Sequence, residues 1–249
     1  MSTLIKEHSR YQQWHCYIEK NNKIDLPPID QLLVKIEGFP NVLKDDRRSL
    51  VKLGELNQEK IIAKQPRDKN KRKWARILTL LTGQSEAQKA FCCLIDFKLK
   101  GIESLAPYCL LQKKQCGMVI DSYLLYYFRE GQVSNKKHLP KIVTLLKKIH
   151  QHGYQHTDPH FDNFLTDENG ELFLIDCKGK SRKGTFSDNY DFFLLLGRSG
   201  FTENEIDTVV NLDKSSWGYR LAKCYMRYIK FRSNYKQKVG RKRSKKDRL

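Results

Sequence analysis

Three oxygen-bearing side chains in the second half of the chain could together hold a divalent metal ion. Asp158 and Asn163 lie five residues apart, and Asp176 follows the apolar run that comes next. The dipeptide Asn169-Gly170 lies between Asn163 and Asp176 and is typical of a tight β-hairpin turn. A two-residue turn places Asn163 opposite Asp176, and a longer turn keeps them neighbours. Carboxylate and carboxamide oxygens suit Mg²⁺, which binds few protein ligands together with substrate phosphates.

The elements that must position these residues follow an α+β pattern, with strands dominating the first half of the chain and helices the second. Two strand-like runs around a turn at 54–57 predict a hairpin that ends in Lys64. Apolar residues at 139–149 recur on one face of a helix, and Gly153 ends it. The other predicted elements are helices at about 74–82 and 85–100, strands at 107–112, 118–128, 163–166 and 171–175, and helical stretches over roughly 188–235.

The spacing H-x-D-x-x-x-x-N, followed by an aspartate at the end of the next strand, resembles the phosphotransferase signature of the protein-kinase-like fold. The resemblance implies that the chain uses ATP and Mg²⁺. It implies that Asp158 accepts or orients the proton of the attacking hydroxyl, and that His156 braces the loop. Asn163 and Asp176 would then hold metal ions on the ATP phosphates.

Upstream residues extend this resemblance in the same order along the chain. In the kinase-like fold, the lysine that contacts the ATP phosphates ends an apolar strand, and Lys64 lies at the end of such a strand. Glu86, 22 residues later on a helix, corresponds to the glutamate that forms an ion pair with that lysine. Tyr127 and Phe128 occupy the place of the hinge that binds adenine. The implied architecture has two lobes with Mg-ATP between them, an antiparallel sheet in the N-lobe and a mainly helical C-lobe. Its predicted parts are an N-terminal extension and N-lobe at 1–127, a C-lobe with the catalytic loop at 128–235, and a basic tail at 236–249.

Several departures from the protein-kinase pattern argue against a protein substrate. No G-x-G-x-x-G precedes Lys64, so the loop that covers the phosphates must be built differently. Thr157 replaces the arginine of the catalytic loop, which leaves an activation-loop phosphate without a partner there. Cys177-Lys178-Gly179 follows Asp176 in place of Phe-Gly, and little room for an activation loop remains before Asp188. The pattern favours a small-molecule or glycan acceptor.

Two short motifs narrow the acceptor. D-P-H-x-x-N-F, which begins at Asp158, and I-D-x-x-G-K, which begins at Ile175, resemble the bacterial lipopolysaccharide core heptose kinases, relatives of the Kdo kinases. This resemblance implies transfer of phosphate from ATP to a heptose hydroxyl of the inner core, which is an anionic acceptor. The first motif also resembles the UbiB/ABC1 kinase-like proteins, although their Lys-x-Gly-Gln segment is not found here.

Composition and charge limit the remaining possibilities. The 249 residues carry 47 Lys or Arg and 28 Asp or Glu, a net charge of +19, with basic clusters at 67–76 and 236–249. Such a charge favours an anionic partner, and a membrane surface is one. The seven cysteines include no CxxC pair, which predicts free thiols in a reducing compartment. No apolar run approaches the roughly 18 residues of a membrane span, and the N-terminus lacks the apolar region of a signal peptide. We therefore expect a cytoplasmic protein with peripheral contact to the inner membrane.

Two alternatives remain open at this point. The segment 217–235 interleaves aromatic and basic residues, which is typical of an interfacial helix or of a core helix with a basic outer face. The chain could also be a non-catalytic kinase fold that binds an anionic partner through its charge. The retention of the lysine, both aspartates and the asparagine favours an enzyme, and the absence of a recognisable nucleic-acid module disfavours nucleic acid.

Overall fold

The computed structural model describes residues 4–67, 77, 80, 84–177 and 180–246, and the chain divides into two compact units. Met1–Gln132 and Leu165–Gly179 form the first unit, and Val133–Phe164 and Lys180–Leu249 form the second. The predicted α+β organisation is confirmed, because the first unit contains the antiparallel sheet and the second is mainly helical. Most of the predicted helix at 74–82 and of the basic cluster at 67–76 lies outside the described residues.

The first unit is built on a seven-stranded sheet in the order β1-β2-β6-β7-β5-β4-β3, and every neighbouring pair in it is antiparallel. Each face carries a helix, α1 (Ile29–Glu37) or α2 (Glu86–Leu99). The strands are β1 (Ile5–Tyr11), β2 (Trp14–Glu19), β3 (Asn41–Asp45), β4 (Ser49–Leu56), β5 (Glu59–Pro66), β6 (Pro107–Gln115) and β7 (Met118–Tyr127).

Alternation along β5 determines which way the predicted phosphate-binding lysine points. Ile61 and Ala63 are buried on the α1 side of the sheet, whereas Ile62 is buried on the α2 side. Because successive side chains of a strand point to opposite faces, Lys64 shares the α2 side with Ile62. Residues 1–46, in which no motif was predicted, supply β1, β2, β3 and α1.

The hairpin that leads to Lys64 differs from the prediction in its turn. The strands β4 and β5 extend to Leu56 and from Glu59, so Asn57 and Gln58 form a two-residue turn with φ of 51° and 66°. The predicted turn at 54–57 is therefore wrong. Gly54 lies within β4, where a Cβ atom would come within 2.2 Å of the Phe39 ring. Its role is to admit that ring, not to bend the chain.

The predicted Asn-Gly hairpin is present, and its turn is longer than two residues. The strands are β10 (Phe164–Thr166) and β11 (Leu172–Leu174), numbered after two short strands, β8 (Gln132–Val133) and β9 (Tyr154–Gln155). Asp167 closes the loop, because its Oδ1 accepts the backbone N–H groups of Asn169 and Glu171 at 3.0 and 2.9 Å. The hairpin was predicted to belong to the C-lobe, whereas residues 165–179 fold with the first unit. There the backbone N–H of Leu105 donates a hydrogen bond to the carbonyl oxygen of Leu174.

The second unit contains α3 (Leu139–Gln151), α4 (Gly184–Ser199), α5 (Glu203–Val210) and α6 (Trp217–Lys246), with the short strand β12 (Lys180–Ser181) paired to β9. The helices α6 and α4 pack so closely at Gly218 that an added Cβ atom would overlap Thr185 Oγ1. The backbone of α6 continues through most of the predicted basic tail. Among the residues that the structure describes, no helix combines the length and the apolar character needed to cross a bilayer. The seven cysteines are all free, as predicted.

Candidate active site

The first unit brings together two of the predicted site residues. Lys64 Nζ lies 3.1 Å from Asp176 Oδ2, and both side chains keep access to solvent. Lys64 comes from the interior strand β5, between β7 and β4, and Asp176 follows β11 two residues after the strand ends. When a ligand binds, the lysine can leave this ion pair to contact a phosphate. The exposed carboxylate can likewise leave it to bind a cation.

An apolar wall lies on the same side of the sheet as Lys64. It combines half-buried side chains from β4, from the segment after β7 and from the returning hairpin, all packed on the core cluster that contains Ile62 and Phe173. Such a wall can take the flat apolar face of a base. Its members are Val51, Leu53, Phe128, Leu165 and Ile175.

The predicted hinge residues lie next to this wall. Phe128 belongs to it, and Lys60 Nζ lies 5.9 Å from the centre of the Phe128 ring. The Tyr127 ring instead contacts Tyr108 edge-on at 5.2 Å. The backbone N–H groups of Tyr127 and Phe128 donate to the carbonyls of Ala106 and Lys60 at 2.9 and 2.8 Å. Binding of adenine by the backbone at these two positions would therefore use their carbonyl oxygens.

The loop that carries Asp176 is attached to α2. Cys177 and Cys93 are both buried and share a hydrogen bond. That hydrogen bond, together with burial, raises the pKa of the Cys93 thiol well above its usual range. Glu86 is exposed at the first position of α2, and its pairing with Lys64 stays a prediction.

A basic turn lies at the same end of the sheet as Lys64. Val51 on β4 pairs with Lys64, and the turn between β3 and β4 begins a few residues away with Asp46-Arg47-Arg48. Asp46 Oδ1 accepts the N–H groups of Arg48 and Ser49 at 2.8 and 2.7 Å, and the bond from Ser49 lowers the pKa of Asp46. Because these two N–H groups are bonded to Asp46, the exposed side chains of Arg47 and Arg48 are the groups of this turn that can contact a phosphate.

The second unit builds the predicted catalytic loop on a buried aspartate of α4. Asp191, which is fully buried, accepts the backbone N–H groups of His156 and Thr157, each at 2.8 Å. A ring nitrogen of His150 lies 2.9 Å from the same carboxylate. Thr157 has a φ of 71°, a conformation that a β-branched residue adopts only when its surroundings impose it. Asp191 therefore fixes the shape of the loop that precedes Asp158.

Asp158 itself is held from two sides. Its backbone oxygen accepts a hydrogen bond from Asn163 Nδ2 at 2.8 Å, and its carboxylate forms an ion pair with Arg198, in the last turn of α4. Because Asn163 uses its amide nitrogen for the loop, its amide oxygen is the atom that it can offer to a metal ion. His156 is buried against Phe164, and its Nδ1 accepts the N–H of Asp158 at 3.4 Å.

The predicted metal ligands are oxygen donors, one in each unit. In the described part of the chain, no group of three or more His, Cys, Asp or Glu side chains could hold a metal. Asp176 offers a carboxylate in the first unit and Asn163 an amide oxygen in the second, and both are donor types that Mg²⁺ accepts.

The structure thus pairs Lys64 with Asp176 in the first unit and Asp158 with Asn163 in the second. Three residues that hold the catalytic loop, His150, Asp191 and Arg198, were not predicted from the sequence. Asp191 had a usable signal, since it is a lone charge directly before the apolar run 192–196. Arg198 had none, because its contact with Asp158 spans 40 positions of the chain.

No protein-family model and no curated protein matches the chain. Among solved structures, "WaaP in complex with acyl carrier protein" is similar over 79% of this chain and 95% of that chain, with 12% identity and a TM-score of 0.48. A Toxoplasma gondii specific rhoptry antigen kinase domain is similar over 59% of this chain and 53% of that chain, with 15% identity and a TM-score of 0.37. At this sequence identity and TM-score the structural similarity assigns no activity to the chain, so an activity has to be inferred from its side chains.

Proposed function

We propose that this protein is an ATP-dependent phosphotransferase whose acceptor is a sugar hydroxyl, specifically that of a heptose in the lipopolysaccharide inner core. The observation that carries the proposal is the catalytic loop of the second unit. There Asn163 is bonded to the backbone of Asp158, and the loop is fixed on buried Asp191. The Lys64–Asp176 pair of the first unit supplies the complementary groups for a nucleotide.

Each residue has a distinct task in the proposed reaction. Lys64 binds the ATP phosphates, and the apolar wall around Phe128 takes the base. Asp158 orients the acceptor hydroxyl for in-line attack on the γ-phosphate and receives its proton. Asn163 and Asp176 would hold Mg²⁺, which neutralises charge on the phosphates when bound. Catalysis of this kind is mostly positioning and charge stabilisation.

Two observations support a glycan rather than a protein acceptor. Only residues 177–183 separate Asp176 from the start of α4, which leaves no length for an activation loop. Arg198 contacts the Asp158 carboxylate and places a positive charge where the acceptor would bind. An acceptor that carries phosphates and carboxylates, as the inner core does, suits that charge. Because ATP is the donor, we place the reaction on the cytoplasmic side of the inner membrane.

The test is phosphate transfer from γ-labelled ATP with Mg²⁺ to lipopolysaccharide core that lacks its heptose phosphates. We expect label on a core heptose, located by mass spectrometry. Asp158→Asn should lower kcat by about 10²–10⁴-fold, the usual range for loss of a general base. Asp162→Asn is the matched control, because Asp162 lies in the same loop with its side chain 78% exposed and should keep normal turnover.

The possible results distinguish a wrong substrate, a wrong catalytic base and a non-catalytic protein. Transfer to another sugar or lipid that still depends on Asp158 would keep the phosphotransferase and discard the heptose. Full turnover in Asp158→Asn would refute the assigned base. A protein that binds no ATP would instead be the non-catalytic scaffold.

A further inference from the structure

The outer face of α6 carries an unusual row of exposed apolar side chains. They recur every three or four residues and therefore lie along one side of the helix. Between 45% and 77% of each is exposed to solvent, and the row runs for about 27 Å at the helical rise of 1.5 Å per residue. We call this row the α6 stripe; its members are Trp217, Leu221, Tyr225, Tyr228, Phe231 and Tyr235.

The α6 stripe is separate from the face that packs α6 onto the protein. Gly218, Tyr219 and Ala222 are buried, and Met226 and Ile229 continue that inner face down the helix. The helix is therefore apolar on two sides, and the inner side provides most of its packing on the protein. Of the stripe, Tyr225 also contacts α4, through the rings of Phe186 and Tyr190. Such an exposed apolar surface indicates a binding surface.

The charge of α6 indicates the nature of the partner. The helix contains twelve Lys or Arg and no Asp or Glu. Arg220 and Arg227 are exposed and flank the stripe along one side, Arg232 flanks it on the other, and Lys230 is exposed further round the helix. A second copy of the same helix would bring like charges together, so self-association through this face is disfavoured.

We propose that the α6 stripe binds the headgroup region of a bilayer that contains anionic phospholipids, with α6 lying in the plane of the surface. Tryptophan and tyrosine favour this region because their rings are apolar with one polar atom, and the flanking cations attract anionic lipid. The inference does not depend on phosphotransfer. If the proposed function also holds, α6 would keep the enzyme at the membrane that carries its lipid-linked acceptor.

A native cysteine allows a direct test. Cys224 is exposed and lies on the stripe side of α6, between Leu221 and Tyr228, and Cys116 is exposed in the first unit. Full-length Cys116→Ser protein would carry an environment-sensitive dye on Cys224, and Cys224→Ser protein would carry it on Cys116. Vesicles of phosphatidylcholine with phosphatidylglycerol, added without nucleotide, should shift the emission of the Cys224 dye to the blue and leave the Cys116 dye unchanged.

Flotation of the unlabelled protein with the same vesicles measures the contribution of the stripe. The triple variant Trp217→Ser/Tyr228→Ser/Phe231→Ser should bind about 100-fold more weakly, since three partly inserted rings are lost. The control Val34→Ser/Leu99→Ser, which removes exposed apolar side chains from α1 and α2, should change binding by less than about twofold. Circular dichroism would verify that each variant keeps its helices.

Three results would overturn the proposal. The first is vesicle binding that Arg220→Gln/Arg227→Gln/Lys230→Gln abolishes while the aromatic triple variant does not, because charge alone would then explain it. The second is a blue shift of the Cys224 dye without lipid at rising protein concentration, which would make the stripe a contact between copies. The third is the same shift with RNA or an acidic protein but not with anionic vesicles.

Discussion

Arg198 and Asp158 form the contact most directly relevant to the proposed chemistry. Asp158 is 32% exposed and Arg198 is 49% exposed, so neither is locked in place by burial. A guanidinium in this position can exchange the aspartate for an anionic group of the acceptor. Such an exchange would free the Asp158 carboxylate at the moment the acceptor hydroxyl arrives.

Replacing Arg198 should therefore affect acceptor binding more than turnover. Arg198→Ala is expected to raise the KM for the anionic acceptor by about 10–100-fold, the loss of one charge-assisted hydrogen bond, with a smaller change in kcat. Steady-state kinetics over acceptor concentration measures this split. Arg182→Ala, which removes a surface pair with Asp188, is the control. An unchanged KM would show that Arg198 has no part in acceptor binding.

Asp191 should matter for both stability and activity. Asp191→Ala leaves a buried and a partly buried backbone N–H group and a buried histidine ring without their acceptor, which should lower the free energy of unfolding by about 3 kcal/mol. Urea unfolding measures that loss, and turnover should fall with it because the catalytic loop loses its anchor. The neighbouring change Asp188→Ala, at a partly exposed ion pair, should cost no more than about 1 kcal/mol. Equal losses in the two variants would contradict the anchoring role.

The residues of the catalytic loop were predictable because their spacing is local. Asp158 and Asn163 contact each other across five positions of chain, and the motif contains both. Arg198 and Asp191 reach the loop from a later helix, and only the folded second unit brings them there. Glu86 was chosen only by its resemblance to the kinase pattern, and its pairing with Lys64 stays a prediction.

At the scale of secondary structure, short runs rich in apolar and aromatic residues predicted β5, β6 and β7, because both faces of these strands are covered. The edge strands were missed for a corresponding reason. Every residue of β3 is exposed, and β1 is largely so, which means that pairing with a neighbour rather than burial maintains them. The turn lengths were not predicted, because Asn57 and Gln58 adopt positive φ without a glycine, and because the Asp167 side chain closes a longer loop around Asn169-Gly170.

Gly54 offers a test of how β4 packs on the residue that follows α1. Gly54→Ala should destabilise the protein by about 1–3 kcal/mol, because the new methyl group overlaps the Phe39 ring. Phe39→Leu in the same chain should recover part of this loss. Gly197→Ala is the matched control in α4, where a Cβ atom meets no atom of the described residues within 4 Å, and it should be neutral or stabilising. Thermal unfolding compares the three, and a neutral Gly54→Ala would refute the packing role.

At the scale of the whole molecule, buried tyrosines should limit stability in alkali. Burial raises the pKa of Tyr108 and of Tyr123 to about 12, from a usual value of 10.0. The folded state therefore keeps protons that the unfolded chain releases. Stability is full below pH 10 and should be lost progressively as pH rises from about 10 towards 12.

Phenolate absorbance and urea unfolding along a pH series measure this loss. Tyr108→Phe should reduce it, since the buried Tyr108 hydroxyl has no hydrogen-bond partner among the residues that the structure describes, while Tyr228→Phe, at an exposed ring, should not. Ionisation of every tyrosine in one step near pH 10, with no loss of stability, would contradict the expected behaviour.

The return of residues 165–179 to the first unit has a consequence for the way the chain is made. On the ribosome, the first 132 residues emerge without the strand that carries Phe173, a fully buried side chain of their core. At roughly 5–20 residues per second, the 47 residues from 132 to 179 take about 2–9 s to synthesise. During that interval the α2 face of the sheet is incomplete and exposes apolar surface. Nascent chains halted before residue 179 should therefore be captured by chaperones and cut by protease, and chains halted well beyond it should be protected.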